Sequence, residues 1–310
     1  MKENKKLRIG TRGSALALAQ AKIVAELLER SEAGLETEIA VIKTTGDRAR
    51  EKPARHIDTT GIFTKEIESA LLRGEIDLAV HSMKDLPTSL HEDLCIGAVP
   101  ERIDPLDALV SRNGETLEDL KSGARVGTGS PRRRAQILSQ RPDLNVVPLS
   151  GNVETRLRAV RRGRVVDCAV LAMAGLMRLG RAGEASQPLT ADVMLPAPGQ
   201  GALAVQARRG DETILEIVQA LNHTDSFNEV LAERALTREL GAGCRTPLGA
   251  LAWVRAGTLL LKAVVLGVDG RRTCRVEHSG NPGDAAETGK RAAAILLERG
   301  AGELMGTARD

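Results

Sequence analysis

The chain has 310 residues, enough for two or three domains of ordinary size, and its 42% hydrophobic and 27% charged composition is that of a globular protein in water. Only three residues are aromatic, Phe63, Phe227 and Trp253, so the core must be built from Leu, Val, Ile and Ala, and the stacking platforms of a single-stranded nucleic-acid binder are missing. The net charge of +3 says little, but residues 121–164 hold 11 Lys/Arg against 2 Asp/Glu, a local +9 that needs an anionic partner or another explanation.

In chain order, Leu7–Gly10 reads as a short strand. Ser14 is placed to cap a helix whose Ala17, Ala21, Val24 and Leu28 share one face. Thr37–Thr44 alternates and is β-branched, a strand pattern. Phe63–Leu72 has helical spacing, and Asp77–Val80 and Leu94–Val99 are short apolar strands. Pro100–Pro105 reads as a hinge. A second strand–helix series follows: strand Arg125–Gly127, helix Ser130–Gln140, strand Asn145–Leu149, helix Asn152–Arg162 and strand Asp167–Ala172. The breaker-rich Leu195–Gly201 is a second crossing, before a strand at Ala202–Ala207.

Helical patterns at 211–221 and 225–239, strands Gly249–Arg255, Thr258–Leu266 and Arg272–His278, and a helix Ala285–Arg299 complete the chain. Two crossings suggest an inserted domain: 1–99 plus 200–219 as domain 1, 105–196 as a basic domain 2, and 222–310 as a small α+β domain 3. In such α/β sheets ligands gather at the carboxyl ends of strands, which puts the expected site in a cleft between the first two domains. No internal repeat is evident.

Cys95, Cys168, Cys244 and Cys274 are far apart, and His56, His81, His91, His223 and His278 form no pair at ligand spacing, so neither a disulfide framework nor a metal is expected. The early lysines precede no apolar stretch, and no run of about 18 apolar residues occurs, so a cytoplasmic protein with reduced thiols is expected.

Four segments carry candidate chemistry. His81-Ser82-Met83-Lys84-Asp85 follows a strand end; by itself it reads equally as a polar turn. Thr128-Gly129-Ser130-Pro131-Arg132-Arg133 is a glycine-containing strand–helix junction, where backbone N–H groups and the helix dipole favour an anion. A solvated basic helix end is the alternative, and no nucleotide fingerprint is present. Gly151-Asn152 with Arg156 and Arg158 is a second junction of the same kind; the guanidinium fork suits carboxylates. Cys244, in Gly241-Ala242-Gly243-Cys244-Arg245, is a loop thiol that Arg238 and Arg245 would favour as thiolate, although a loop cysteine alone is more often incidental.

Taken together, Ile9–Ser14, Gly61–Glu66, His81–Pro87, Thr128–Arg134, Gly151-Asn152, Leu171–Leu176, Leu195–Gly201 and Gly243-Cys244 resemble the porphobilinogen deaminase (hydroxymethylbilane synthase) family in order and spacing over most of the chain. The resemblance implies three domains, the first two like type II periplasmic binding proteins and the third with a three-stranded antiparallel sheet. It implies a transferase of tetrapyrrole biosynthesis that condenses four porphobilinogen molecules head to tail, with release of ammonia, on a dipyrromethane cofactor bound through Cys244. Asp85 would be the catalytic acid–base. Ser82, Lys84, Thr128, Ser130, Arg132, Arg133, Gly151 and Arg156 would hold the cofactor. Arg12, Ser14, Phe63 and Arg178 would meet substrate. A monomer with no nucleic-acid or membrane partner is expected.

The family usually has Arg where this chain has Ser150, and Lys where it has His56 and Thr60. Arg134 or Arg158 is expected to compensate. A carboxylate-binding protein that has lost catalysis is the alternative reading, and the presence of both Asp85 and Cys244 weighs against it.

Overall fold

A computed structural model describes residues 6–45, 64–243 and 245–306. The chain divides into two compact units, Met1–Arg102 with Ala202–Phe227, and Ile103–Gly201 with Asn228–Asp310. The first unit is built on one sheet, ordered β2-β1-β3-β10-β4, from β1 (Leu7–Thr11), β2 (Thr37–Val41), β3 (Leu78–Ser82), β4 (Leu94–Ala98) and β10 (Leu203–Arg208). β1 runs parallel to β2 and β3, and β10 runs antiparallel to β3 and β4.

Strand alternation sends Leu7, Ile9, Leu78, Val80, Leu203 and Val205 to one face. There they meet Ala21, Val24 and Leu28 of α1 (Ala15–Ser31). Ala79 and Leu94 face the other way, against Ile67 and Leu71 of α2 (Lys65–Leu72). Both faces are covered, as a largely parallel sheet requires.

The second unit repeats the pattern. β5 (Asp107–Ser111), β6 (Arg125–Gly127), β7 (Asn145–Val147), β8 (Cys168–Ala172) and β9 (Gln187–Leu189) are ordered β7-β6-β8-β5-β9, with β5 antiparallel to its neighbours. Each sheet thus reads second, first, third, crossing strand, fourth. Helices α3 (Pro131–Gln140) and α4 (Val153–Arg162) cover its two faces through Ile137 and through Leu157 and Val160. β5 was not anticipated because all five of its residues are buried and it carries no alternation to read.

The repeat, which the sequence does not reveal, extends to side chains. In the first sheet the Arg8 guanidinium donates to Asp77 just before β3 (2.8 and 3.1 Å) and to the Gly74 carbonyl after α2 (2.7 Å). In the second, Arg125 donates to Asp167 just before β8 (2.7 and 3.1 Å) and to the Gly163 carbonyl after α4 (3.0 Å). In both, the strand arginine's own N–H also bonds the aspartate (2.8 Å in each). Each clamp ties a central strand to the carboxyl end of a helix, where a cation is favoured.

Within the second unit, β11 (Leu248–Arg255), β12 (Thr258–Leu266) and β13 (Thr273–Gly280) form an antiparallel sheet. One face packs on α7 (Thr224–Glu239), α8 (Ala285–Glu298) and α9 (Ala301–Gly306) through Ala232, Leu236, Ala292, Ala293 and Leu296. A Cβ at Gly289 would collide with the Ala232 carbonyl, so α7 and α8 approach more closely than larger residues permit. The other face sets Leu251, Val264 and Leu266 against Ala135 of α3 and Leu195. Among the described residues the remaining α-helices are α5 (Met173–Arg178) and α6 (Glu212–Gln219).

Candidate active site

In each five-stranded sheet the candidate residues stand beyond the carboxyl ends of the parallel strands. In the first, Arg12 and Ser14 follow β1, and Lys84 and Asp85 follow β3 in a single 3₁₀ turn, Met83–Asp85. Met83, nearly fully buried, anchors that turn, while Lys84 and Asp85 are exposed. The Met83 N–H donates to the Ala202 carbonyl (3.1 Å) and the Leu86 N–H closes the turn on Met83 (3.2 Å). A buried hydrophobic pin thus presents an acid to solvent at a fixed place.

Beneath it, His81 is buried in β3 with Nε2 3.0 Å from the Gln206 side-chain oxygen, and the Gln206 amide nitrogen donates to Glu68 (3.1 Å). An amide oxygen only accepts, so Nε2 carries the proton. Burial pushes the imidazole pKa down to about 4, and the Arg12 cation acts in the same direction. His81 is a neutral support for the turn.

In the second sheet, Thr128, Ser130, Arg132 and Arg133 follow β6, Gly151 and Arg156 follow β7, and Arg178 ends the helix after β8. Gly151 has φ 105°, and a Cβ there would also press on Thr155, so the turn into α4 requires glycine. Arg156 is half-buried in the first turns of α4. Arg178, also half-buried, donates to the Gly201 carbonyl (2.7 Å), and burial lowers its pKa to about 10. Arg132 and Arg133 are not solvated: they are 4% and 5% exposed and share Asp107, which is fully buried.

The Asp107 carboxylate receives Arg132 Nη1 on one oxygen (2.7 Å), and Arg133 Nε and Nη2 (3.1 and 2.7 Å) and Gln200 Nε2 (2.9 Å) on the other. Arg132 also donates to Leu195 O and Arg133 to Val170 O (2.8 Å each). Burial by itself would raise the Asp107 pKa; the two guanidiniums outweigh it and hold the carboxyl well below its usual range. Asp107 is the residue that sequence reasoning missed. Arginines in a first helical turn imply a compensating anion, and part of that anion is a strand residue 25 positions earlier.

Four hydroxyls share one arrangement. Ser14 Oγ accepts from Ala17 N (3.2 Å), Ser82 Oγ from Gln20 Nε2 (2.7 Å), Thr128 Oγ1 from Ser130 N (3.1 Å) and Ser130 Oγ from Arg133 N (3.4 Å). Among the described residues none of the four gives its own O–H to a protein acceptor. The Nε and Nη2 N–H groups of Arg132 likewise meet no protein acceptor. Both sheet edges offer donors and few acceptors.

Much of the +9 segment is consumed internally, which supplies the other explanation for the patch. Arg125 pairs with Asp167, Arg132 and Arg133 with Asp107, Arg141 with Asp143, and Arg161 with Glu154 and Glu184. Arg134 donates to the Val146 carbonyl (2.7 Å), and Ser150 and Arg158 are exposed. Cys168 is buried, with its thiol pushed up to about 12, as its apolar strand pattern implies, whereas Cys95, expected in the core on the same ground, is only half-buried. Cys244, Phe63, His56 and Thr60 lie outside the described residues. Among the described residues no cluster suits a metal ion, and no helix is long and apolar enough to cross a membrane.

Residues 7–216 match the family described as "Porphobilinogen deaminase, dipyromethane cofactor binding domain", and residues 227–298 match "Porphobilinogen deaminase, C-terminal domain". The porphobilinogen deaminase of Rubrobacter xylanophilus is 50% identical over 98% of this chain and 98% of that protein. That of Pelotomaculum thermopropionicum is 48% identical over 98% of this chain and 97% of its own length. Among solved structures, the second substrate-binding domain of a putative amino acid ABC transporter from Streptococcus pneumoniae is 14% identical, with a TM-score of 0.44 over 70% of this chain and 92% of that one. The alternative of a binding protein without catalysis finds no support in these likenesses.

Proposed function

The chain belongs to the porphobilinogen deaminase family, and from that premise we propose that it condenses four porphobilinogen molecules head to tail, releasing one ammonia per unit added, and that one water then cleaves the finished tetrapyrrole from its primer as hydroxymethylbilane. The primer is a dipyrromethane held as a thioether by Cys244, on a third domain spanning 222–310. The protein works as a cytoplasmic monomer. The observation that carries this reading is the excess of donors at the two sheet edges. Two buried guanidiniums share a single carboxylate at a helix N-terminus, and among the described residues four hydroxyls and Arg132 keep N–H or O–H groups without protein acceptors. Each edge suits a ligand rich in carboxylates, and each porphobilinogen brings an acetate and a propionate.

The dipyrromethane, when bound, supplies the pyrrole carbon on which the chain grows. This protein's residues do the rest. Thr128, Ser130, Arg132, Arg133, Gly151 and Arg156, with Ser82 and Lys84, hold the carboxylates of the cofactor. Arg12, Ser14 and Arg178 hold those of the incoming substrate, with Phe63 beside its ring. Asp85, presented by its rigid turn, accepts hydrogen bonds from pyrrole N–H groups. It also stabilises the cation left when the substrate's aminomethyl carbon loses ammonia, and it takes the proton released when the pyrrole ring that has formed the new carbon–carbon bond regains its aromaticity.

The test is the intact mass of protein made in a host that supplies porphobilinogen. An excess of two pyrrole units that vanishes in Cys244→Ser is expected, with a positive Ehrlich reaction in the parent only. An unmodified parent mass overturns the reading.

A further inference from the structure

We infer that Asp107 is a positioning residue for carboxylate binding: it holds Arg132 and Arg133 ready for the cofactor's acidic side chains while leaving one positive charge uncompensated. The inference rests on the reading that these two arginines meet the cofactor. Its own support is a comparison inside the molecule. β5 and β10 occupy the same place in their sheets, the crossing strand beside the third strand. β10 opens on Leu203, paired with Ser82, whereas β5 opens on Asp107, paired with Ala172.

The helices that follow the first strands correspond as well. Ser14 and Ser130 are their N-caps, so Leu16 and Ala17 stand where the other sheet has Arg132 and Arg133. One sheet therefore has apolar residues at these positions and the other a buried ionic cluster. The architecture does not require the charges, and buried ion clusters are seldom retained for stability, since apolar replacements pack as well or better.

The geometry states what the charges do. Asp107 receives both guanidiniums on opposite oxygens, fixing their planes relative to each other, and spends only one of the two charges. Gln200 donates to the same carboxylate and to the Pro105 and Leu106 carbonyls (2.8 and 3.2 Å), tying the arginine pair to both segments where the chain enters and leaves this sheet. A lone arginine pair would repel and splay. With two carboxylates between them the pair would be neutral and would have no charge left for a ligand.

The experiment is cofactor loading of full-length apoprotein with porphobilinogen, followed by intact mass and counted per folded molecule by circular dichroism. Asp107→Asn is expected to load at least tenfold more slowly, and Asp107→Glu, which keeps the charge, to recover most of the rate. Gln200→Met removes one donor without changing charge and is expected to slow loading about threefold. These two variants decide the matter if Asp107→Asn does not fold. A merely structural Asp107 would lower the yield of folded protein and leave the rate per folded molecule unchanged. If Asp107→Asn folds, or Gln200→Met by itself, and loads at the parent rate while Arg132→Ala and Arg133→Ala do not load, the inference is wrong and the arginine assignment stands. If the arginine variants themselves load normally, the assignment has failed.

Discussion

β10 enters the first sheet with Leu203 and β5 enters the second with Asp107, although the two strands hold the same position. Below that point the sheets agree closely: the same strand order, the same capped helix after the first strand, and the same clamp of a strand arginine on an aspartate and a helix-terminal glycine. Above it they diverge. The first edge presents an exposed carboxylate, Asp85, over a neutral buried histidine; the second presents buried guanidiniums with a surplus of positive charge. The shared parts are what the architecture needs to stand, and the divergent parts are where the two edges differ in charge, one carrying an exposed acid and the other a buried arginine pair.

Removing Asp85 should have the largest effect on that division. Asp85→Asn is expected to keep the covalent cofactor and to lose about 10²–10⁴-fold in turnover, the range of a general acid–base group, measured as kcat beside intact mass. An Asp85→Asn protein that turns over normally would leave the first edge without a chemical role.

The buried cluster comes next. Asp107→Ala strands two guanidiniums in the interior and should cost about 3–5 kcal/mol in urea unfolding. Asp107→Leu combined with Arg132→Leu and Arg133→Ala copies the first sheet's corner and should restore most of that stability, yet fail to take up cofactor. If the triple variant is as unstable as Asp107→Ala, the two corners are not equivalent.

Acid should separate the sheets in a third way. His81 has its pKa lowered from 6.5 to about 4, so below pH 6.5 the unfolded chain binds a proton that the folded chain refuses. Stability contributed at this site is therefore lost as pH falls from about 6.5 to about 4, by roughly 3 kcal/mol. Asp107, with its pKa depressed, keeps its contribution down to its unfolded value of 3.8 and loses it only below. Urea midpoints against pH should show the first loss in the parent and not in His81→Gln; an identical slope in both would refute the assignment.

The smallest effect is expected from the clamps. Arg8→Ala and Arg125→Ala remove corresponding, partly exposed bonds and should each lower stability by a similar, small amount. Thermal or urea unfolding that shows a large cost for one and none for the other would break the equivalence on which the comparison stands.

Most strands and helices could be read from the sequence, because period and capping are local: Ser14 and Ser130 announce their helices, and β12 falls at Thr258–Leu266 as its pattern implies. The motifs around Asp85 and Arg132 were likewise legible as short polar runs at strand ends, and that around Cys244 as a cysteine in a glycine loop, and their order along the chain carried the family resemblance. The internal duplication was not legible, because it lives in hydrogen bonds between residues 69 apart in one copy and 42 apart in the other, with different side chains around them. Nor could the sequence show that Asp107 would be fully buried under two arginines. Whether a charge is spent on the protein or kept for a ligand depends on which distant groups the fold brings within about 3 Å and on how much water it removes from them, and only the tertiary structure sets both.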